Sequence, residues 1–179
     1  SERYFFKYSD TFLTSGLEIS PLKLPLTAQV QTGPDHVFEG LFGVFNDSLP
    51  DGWGRLLIDR SFIEAGRAPS SITALERLAK VGNNGIGAII YEPSLEIETP
   101  NFHADLDAYA TEAEQLLKEG QSTALDELAA LGGNSVGARP KVHVYYSDLG
   151  ALLHAKPQAH TIPHIIKFRS QQDLLDASK

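Results

Sequence analysis

The residues best suited to chemistry form one glycine-rich segment, residues 132–141, which reads Gly-Gly-Asn-Ser-Val-Gly-Ala-Arg-Pro-Lys. We call this segment the glycine loop. Glycines let a backbone approach an anion closely and turn its N–H groups inward, so that a phosphate is bound without side-chain charge. The same glycines are also what the end of a helix and a turn require. Taken alone, the segment is therefore either a phosphate-binding loop or a plain turn.

The glycine loop also fits a hydrolase pattern, because Gly133 to Gly137 matches the GxSxG nucleophile elbow with Ser135 as nucleophile. That elbow needs a strand before the serine and a helix after it. The order here is helix, loop, strand, which disfavours the hydrolase. The phosphate-binding Walker pattern GxxxxGK[ST] is absent. A hydrolase would be labelled at Ser135 by a fluorophosphonate probe.

The second candidate is Lys167, which lies inside the apolar stretch His164-Ile165-Ile166-Lys167-Phe168. An ammonium in the middle of an apolar strand must reach water or meet an anion, because burying it unpaired is costly. An ordinary edge-strand lysine is the alternative. A glycine loop, a hairpin and a strand lysine about 30 residues later is the order found in protein kinases, where the loop covers ATP and the lysine pairs with its phosphates.

Composition excludes several classes of protein. The chain has 179 residues, 42% of them hydrophobic, no cysteine, and a net charge of -8. Without cysteine there are no disulfides and no thiolate metal ligands. The acidic balance argues against direct contact with nucleic acid, and the apolar runs are too short to span a membrane. His160 and His164 are separated by Pro163, which disfavours a helical zinc pair.

Hydrophobic periodicity and turn residues predict an α+β fold in three parts. Residues 1–93 form a mixed subdomain, residues 94–131 a linker and an acidic helical connector, and residues 132–179 a series of strands followed by the start of a helix at Asp173. In the first part we expect strands at Tyr4–Tyr8, Leu22–Leu26 and Ile86–Tyr91. We also expect a helix that is capped by Asp47 and Ser48 and ends at Gly66. A second helix should run from Ser71 to Gly82, with Leu75 facing inward. In the connector we expect one helix ending at Gly120 and a second helix, Thr123–Leu131, capped by Thr123. Three strands should follow, around Val142–Tyr146, Leu152–Leu153 and Ile165–Phe168.

Several segments together resemble a known family. They are Phe6-Lys7-Tyr8, Leu22 through Leu26, Gly40 to Gly52, Arg77 to Gly82 leading to Gly87-Ala88, Gly137-Ala138-Arg139-Pro140-Lys141 and His164-Ile165-Ile166-Lys167. In this order they resemble HipA-type serine/threonine kinases, the toxins of HipBA toxin–antitoxin systems. The resemblance implies an N-terminal mixed subdomain, a helical connector and the first strands of a kinase-like small lobe.

The resemblance also implies a nucleotide site with ATP and Mg²⁺ as cofactors. Its phosphate loop would consist of Gly133, Asn134, Ser135, Val136, Gly137 and Ala138, and Lys167 would be the lysine that pairs with ATP phosphates. Ser135 would be the self-phosphorylated serine, although it stands one position later than the family pattern, where Asn134 is found. The catalytic and metal-binding residues would lie beyond Lys179, so the chain is expected to be an N-terminal fragment without phosphotransfer activity or metal ligands of its own.

The partners that the resemblance implies are a HipB-like antitoxin and a protein substrate of the translation machinery, in the cytoplasm. DNA would be reached only through the antitoxin, and no membrane is involved. An alternative from another functional class is a stand-alone antitoxin-docking module without catalysis.

Overall fold

A computed structural model describes residues 3–95, 105–147 and 152–169. Helices and small antiparallel sheets give an α+β fold, as the sequence predicts. The chain divides into two compact units, residues 1–49 and 50–179. Most of the predicted linker lies outside the described residues, and so does the whole of the predicted helix from Asp173. The three-part domain division stays a prediction. Among the described residues, no helix combines the length and the hydrophobicity of a membrane-spanning segment.

The first unit has little regular structure and an aromatic core. Its elements are β1 (Phe5–Phe6), α1 (Asp10–Leu13), β2 (Gln31–Thr32), a 3-10 turn (Phe38–Gly40) and α2 (Gly43–Asn46). β1 and β2 pair antiparallel, so only two residues of the predicted Tyr4–Tyr8 strand are paired. Tyr8 is buried, and its hydroxyl donates a hydrogen bond of 2.9 Å to the Leu24 carbonyl. The buried residues of the cluster are Tyr8, Leu24 and Phe42.

The predicted strand at Leu22–Leu26 is wrong. The N–H groups of Lys23 and Leu24 both donate to the Ser20 carbonyl, at 3.2 and 2.8 Å, so the chain turns here. Leu24 is fully buried, whereas Leu22 is 93% exposed. The prolines at each end of the segment lack the N–H that a strand ladder needs, and the alternation of leucines therefore reflects a tight turn.

The second unit contains four helices and a three-stranded sheet. Its elements are α3 (Gly52–Glu64), a 3-10 turn (Pro69–Ser71), α4 (Ala74–Val81), α5 (Leu106–Glu119), α6 (Leu125–Gly132), β3 (Lys141–Ser147), β4 (Leu152–His154) and β5 (Thr161–Lys167). The sheet order is β4-β3-β5, with both pairs antiparallel. The main core cluster joins α3, α5 and α6 to the inner face of the sheet through Trp53, Leu57, Tyr109, Ala113, Leu116, Leu125, Leu128, Leu131, Val142, Val144 and Phe168.

The structure confirms the connector helix α5, which ends at Gly120 in the left-handed conformation, and the three predicted strands. Helix starts were predicted less well. α3 begins after Asp51 rather than after Asp47 and Ser48. α4 begins after Thr73, three residues later than the predicted start at Ser71, and Leu75 on that helix is exposed.

Two further local predictions are wrong. Residues 86–91 follow bends without strand pairing in the described chain, and Ile86 and Ile90 are exposed. Thr123 does not cap α6, because that helix begins only at Leu125 and the Thr123 hydroxyl donates instead to Glu112 on α5 at 2.8 Å.

Candidate functional site

The glycine loop connects the end of α6 to the first residue of β3, and it lies against the first turn of α3. The Trp53 indole N–H donates to the Lys141 carbonyl at 3.0 Å, and the Trp53 backbone N–H donates to the Gly137 carbonyl at 3.1 Å. The Gly137 N–H in turn donates to the Asp51 carboxylate. Trp53 is buried in the main core cluster. Its N–H groups also hold the loop at two points.

Two glycines of α3 let the loop approach this closely. A Cβ atom at Gly54 would lie 2.5 Å from the Ser135 carbonyl oxygen and 2.9 Å from the Gly133 carbonyl oxygen. A Cβ atom at Gly52 would lie 2.6 Å from the Ala138 Cα. Such distances leave no room for a side chain, so the first turn of α3 is a seat shaped for the backbone of the glycine loop.

The predicted loop residues differ in what they present to solvent. Ser135 is 0% exposed, and its hydroxyl donates to the Gly132 carbonyl at 2.5 Å. The Asn134 amide donates to the Asn84 carbonyl, while its Oδ1 is buried without a hydrogen-bond partner among the described residues. Val136 and Ala138 are exposed. In this arrangement the candidate self-phosphorylation site faces inward, so a phosphate could reach it only after the loop leaves α3.

Lys167 lies at the end of β5, rather than in the middle of an apolar strand. It is exposed, and it stands directly opposite Lys141 in the antiparallel register. Paired residues of neighbouring strands project from the same face of a sheet, so the structure brings the predicted phosphate lysine to the base of the glycine loop.

Lys141, the last residue of the glycine loop, is a functional candidate for which the sequence predicts no individual role. Its side chain is only 4% exposed, and its ammonium donates to the carbonyls of Val136 and Gly137 at 2.8 and 2.9 Å. Burial and, secondarily, the positive charge of Lys167 lower the pKa of Lys141, while Asp51 acts in the opposite sense. A lysine that opens an alternating strand has the appearance of a surface residue, and only the loop folding back over it reveals its role.

This end of the sheet carries a concentration of positive charge. The Phe168 N–H donates to the Pro140 carbonyl at 2.9 Å, which extends the β3–β5 pairing beyond Lys141 and Lys167. Arg139 and Arg169, which flank this contact along the chain, are both exposed. Like charges directly opposite each other on a sheet destabilise it, and a bound anion would lower that cost. The arrangement is therefore suited to an anionic group.

The described residues fit a phosphate better than a metal ion. Within residues 3–95, 105–147 and 152–169, no three or more His, Asp or Glu side chains are grouped so as to hold a metal. The donors near the loop are ammonium, guanidinium and backbone N–H groups, which suit phosphate oxygens. Magnesium therefore has no assigned ligand in this part of the chain.

Comparison with protein-family models matches residues 1–92 to the HipA N-terminal domain. The matched region contains the whole first unit, α3 and α4, and therefore includes the seat of the glycine loop but not the loop itself. Comparison with curated proteins and with solved structures finds no match.

Proposed function

The chain belongs to the HipA N-terminal domain family, and on that premise we propose that it is the N-terminal part of a HipA-like serine/threonine protein kinase. The complete protein would transfer the ATP γ-phosphoryl group to a protein serine. The observation that carries the proposal is the register of Lys141 and Lys167, which puts the candidate phosphate lysine beside the glycine loop. Fold and family together favour a kinase over the hydrolase alternative.

In this proposal the residues of the chain bind and orient the nucleotide. Backbone N–H groups of residues 133–138 would contact phosphate oxygens, those of Gly133 and Ser135 only after leaving the Ala129 and Gly132 carbonyls. The Lys167 ammonium would pair with the negative charge of the phosphates. Magnesium, bound with ATP, would neutralise further charge on the phosphates. The catalytic and metal-binding residues belong to a segment that would follow this chain in the complete kinase.

A phosphotransfer assay on the complete protein encoded by the gene tests the proposal. Lys167→Met keeps the apolar stem and removes the charge, so the rate should fall about 100-fold or more. The melting temperature should be unchanged because Lys167 is exposed. The 179-residue chain alone should transfer no labelled phosphate above background. An unchanged rate in Lys167→Met would make Lys167 an ordinary strand lysine.

Self-inactivation through Ser135 is a further part of the proposal. A phosphate on Ser135 would add about -1.5 to -2 charges next to the phosphates of ATP and repel the nucleotide. Because Ser135 is fully buried, the modification requires the loop to leave α3. Mass spectrometry of the complete protein after incubation with magnesium and ATP decides it, since an active kinase with unmodified Ser135 lacks this switch.

A second candidate function, a stand-alone module that docks a HipB-like antitoxin, is favoured by the apolar surface of the first unit. Residues 1–49 expose Phe5, Leu17, Leu22, Val30, Val37 and Phe38. Exposed apolar groups are typical of protein interaction sites where they form one contiguous patch, which this candidate function requires of these residues. In either role we propose a cytoplasmic protein that reaches DNA only through the antitoxin, and in the kinase role one whose substrate is a protein of the translation machinery.

Binding of purified antitoxin, measured together with phosphotransfer activity, separates these roles. Leu22→Asp should weaken binding without unfolding the protein, because Leu22 is almost fully exposed. Leu75→Asp, an exposed leucine on α4, is the matched control. A docking module predicts antitoxin binding by a natural protein that has no phosphotransfer activity, and the kinase predicts both.

A further inference from the structure

Gly137 is bound on both sides by charged groups. Its N–H donates to the Asp51 carboxylate, while its carbonyl accepts from the Trp53 N–H at 3.1 Å and from the Lys141 ammonium at 2.9 Å. Its φ of +98° places it in the region that favours glycine. A single loop residue is therefore held by an anion at its donor and by a cation at its acceptor.

Asp51 occupies the N-cap position of α3, but its carboxylate binds the glycine loop instead of capping the helix. Within the described residues its carboxylate makes no capping bond to its own helix, and it accepts from Gly137, 86 residues away along the chain. A carboxylate that accepts from a backbone N–H makes the same kind of charge-assisted bond as a phosphate oxygen. The Asp51 carboxylate thus occupies a donor that a phosphate would use.

We propose that Asp51 is a positioning residue that docks the glycine loop on α3, and that a phosphate-bearing ligand competes with it for the Gly137 N–H. The identity of the ligand rests on the proposed function, whereas the docking contact does not. When phosphate binds, the Gly137 N–H turns from the carboxylate to a phosphate oxygen. Repulsion between Asp51 and the phosphate then favours separation of the loop from the first turn of α3.

The seat on α3 offers an independent way to displace the loop. A methyl group at Gly54 would collide with the carbonyl oxygens of Ser135 and Gly133, while the Asp51 carboxylate is retained. Gly54→Ala and Asp51→Ala should therefore both release the loop, one by steric exclusion and the other by loss of the acceptor.

The experiment measures two quantities on the 179-residue chain by NMR: the hydrogen-exchange rate of the Gly137 amide and the affinity for inorganic tripolyphosphate. Asp51→Ala should accelerate exchange about tenfold and strengthen tripolyphosphate binding by a similar factor. Asp51→Asn keeps an oxygen acceptor without the charge and should fall between Asp51→Ala and the unmodified chain. Glu64→Ala removes one negative charge at the other end of α3 and serves as the control.

The outcomes separate the docking contact from the proposed function. Unchanged exchange at Gly137 in both Asp51→Ala and Gly54→Ala overturns the docking contact, whatever the affinity for anions. Faster exchange with equal or weaker tripolyphosphate binding overturns the competition. If exchange is faster but no variant binds tripolyphosphate, both the competition and the proposed nucleotide site are overturned. If Glu64→Ala increases the affinity for tripolyphosphate as much as Asp51→Ala does, the effect is one of net charge, and the competition is overturned as well.

Discussion

The N-termini of α3 and α4 use their acidic residues in opposite ways. At α4, Thr73 and Glu76 form a reciprocal capping box, in which the Thr73 N–H donates to the Glu76 carboxylate at 2.8 Å, and Arg67 adds an ion pair of 2.8 Å. At α3, the carboxylate of Asp51 leaves its own helix and binds the backbone of Gly137. One helix end is satisfied by neighbours in sequence, and the other holds a distant loop.

The difference shows that α3 lacks the local capping interactions that stabilise the first turn of α4. A capping box satisfies the unpaired N–H groups of a first helical turn and stabilises the helix. At α3 the Trp53 N–H instead meets the Gly137 carbonyl of the loop. Departures from local rules are expected at functional sites, and this departure coincides with the segment for which we propose phosphate binding.

Replacing Gly54 with alanine should have the largest effect on stability. Alanine is the better helix former by about 1 kcal/mol, so an open site would be stabilised. A Cβ atom here would collide with two backbone carbonyls that cannot move cheaply, and overpacking of this kind costs about 2 to 3 kcal/mol. Chemical denaturation measures the free energy of unfolding.

Gly87 provides the control for this substitution, because no described atom lies within 4 Å of a Cβ atom placed there. Gly87→Ala should change the free energy of unfolding by less than about 1 kcal/mol. If Gly54→Ala stabilised the protein, the seat for the loop would not exist, and the contrast between the two helix ends would be lost.

Acidification should affect the α4 end through Glu76. Hydrogen bonding from Arg67, followed by the Thr73 N–H, lowers the pKa of this carboxyl from 4.5 to about 2. The stability due to ionised Glu76 is therefore fully present above pH 4.5 and is lost as the pH falls towards 2. Because the side chain is 27% exposed, we expect a contribution of about 1 to 2 kcal/mol.

The measurement is the free energy of unfolding between pH 5 and pH 2.5 for the unmodified chain and for Glu76→Gln. The substitution should remove part of the pH dependence in this window, whereas Glu64→Gln at the exposed end of α3 should retain it. Identical pH profiles for Glu76→Gln and the unmodified chain would refute the local role of the capping box.

Replacing Lys141 or Lys167, which lie opposite each other on β3 and β5, should give the smallest difference in the free energy of unfolding. Lys141→Met leaves the Val136 and Gly137 carbonyls without their ammonium donor, at a cost of about 1 kcal/mol. Lys167→Met alters an exposed side chain and should stay within about 0.5 kcal/mol. Equal effects on the free energy of unfolding would mean that Lys141 does not hold the loop.

Elements with strong local signals could be predicted from the sequence. The apolar positions of α5 repeat with a period of about 3.6 residues up to Gly120, and the alternation in β3 matches its buried valines. The glycine loop and Lys167 were identified as candidates because glycine clusters and strand lysines are unusual in composition. Whether they bind phosphate stays a prediction.

The individual roles of Asp51 and Lys141 could not be identified from the sequence. The partner of Asp51 lies 86 residues away, and an aspartate before a helix has an ordinary local explanation as an N-cap. Lys141 begins a strand, and its burial results from the loop that folds over it. The turn at Leu22 escapes prediction for a related reason, since alternation predicts that Leu22 and Leu24 face the same core, whereas the turn buries Leu24 and exposes Leu22.

The most direct test of the proposed nucleotide site is an NMR titration of the ¹⁵N-labelled 179-residue chain with magnesium and ATP. The proposal predicts that chemical-shift changes are concentrated at the amides of residues 133–138 and at Lys167. It also predicts that Lys167→Met weakens the apparent affinity about tenfold, which corresponds to about 1.4 kcal/mol. Shifts confined to other parts of the chain, or the absence of any shift at millimolar ATP, would contradict the account.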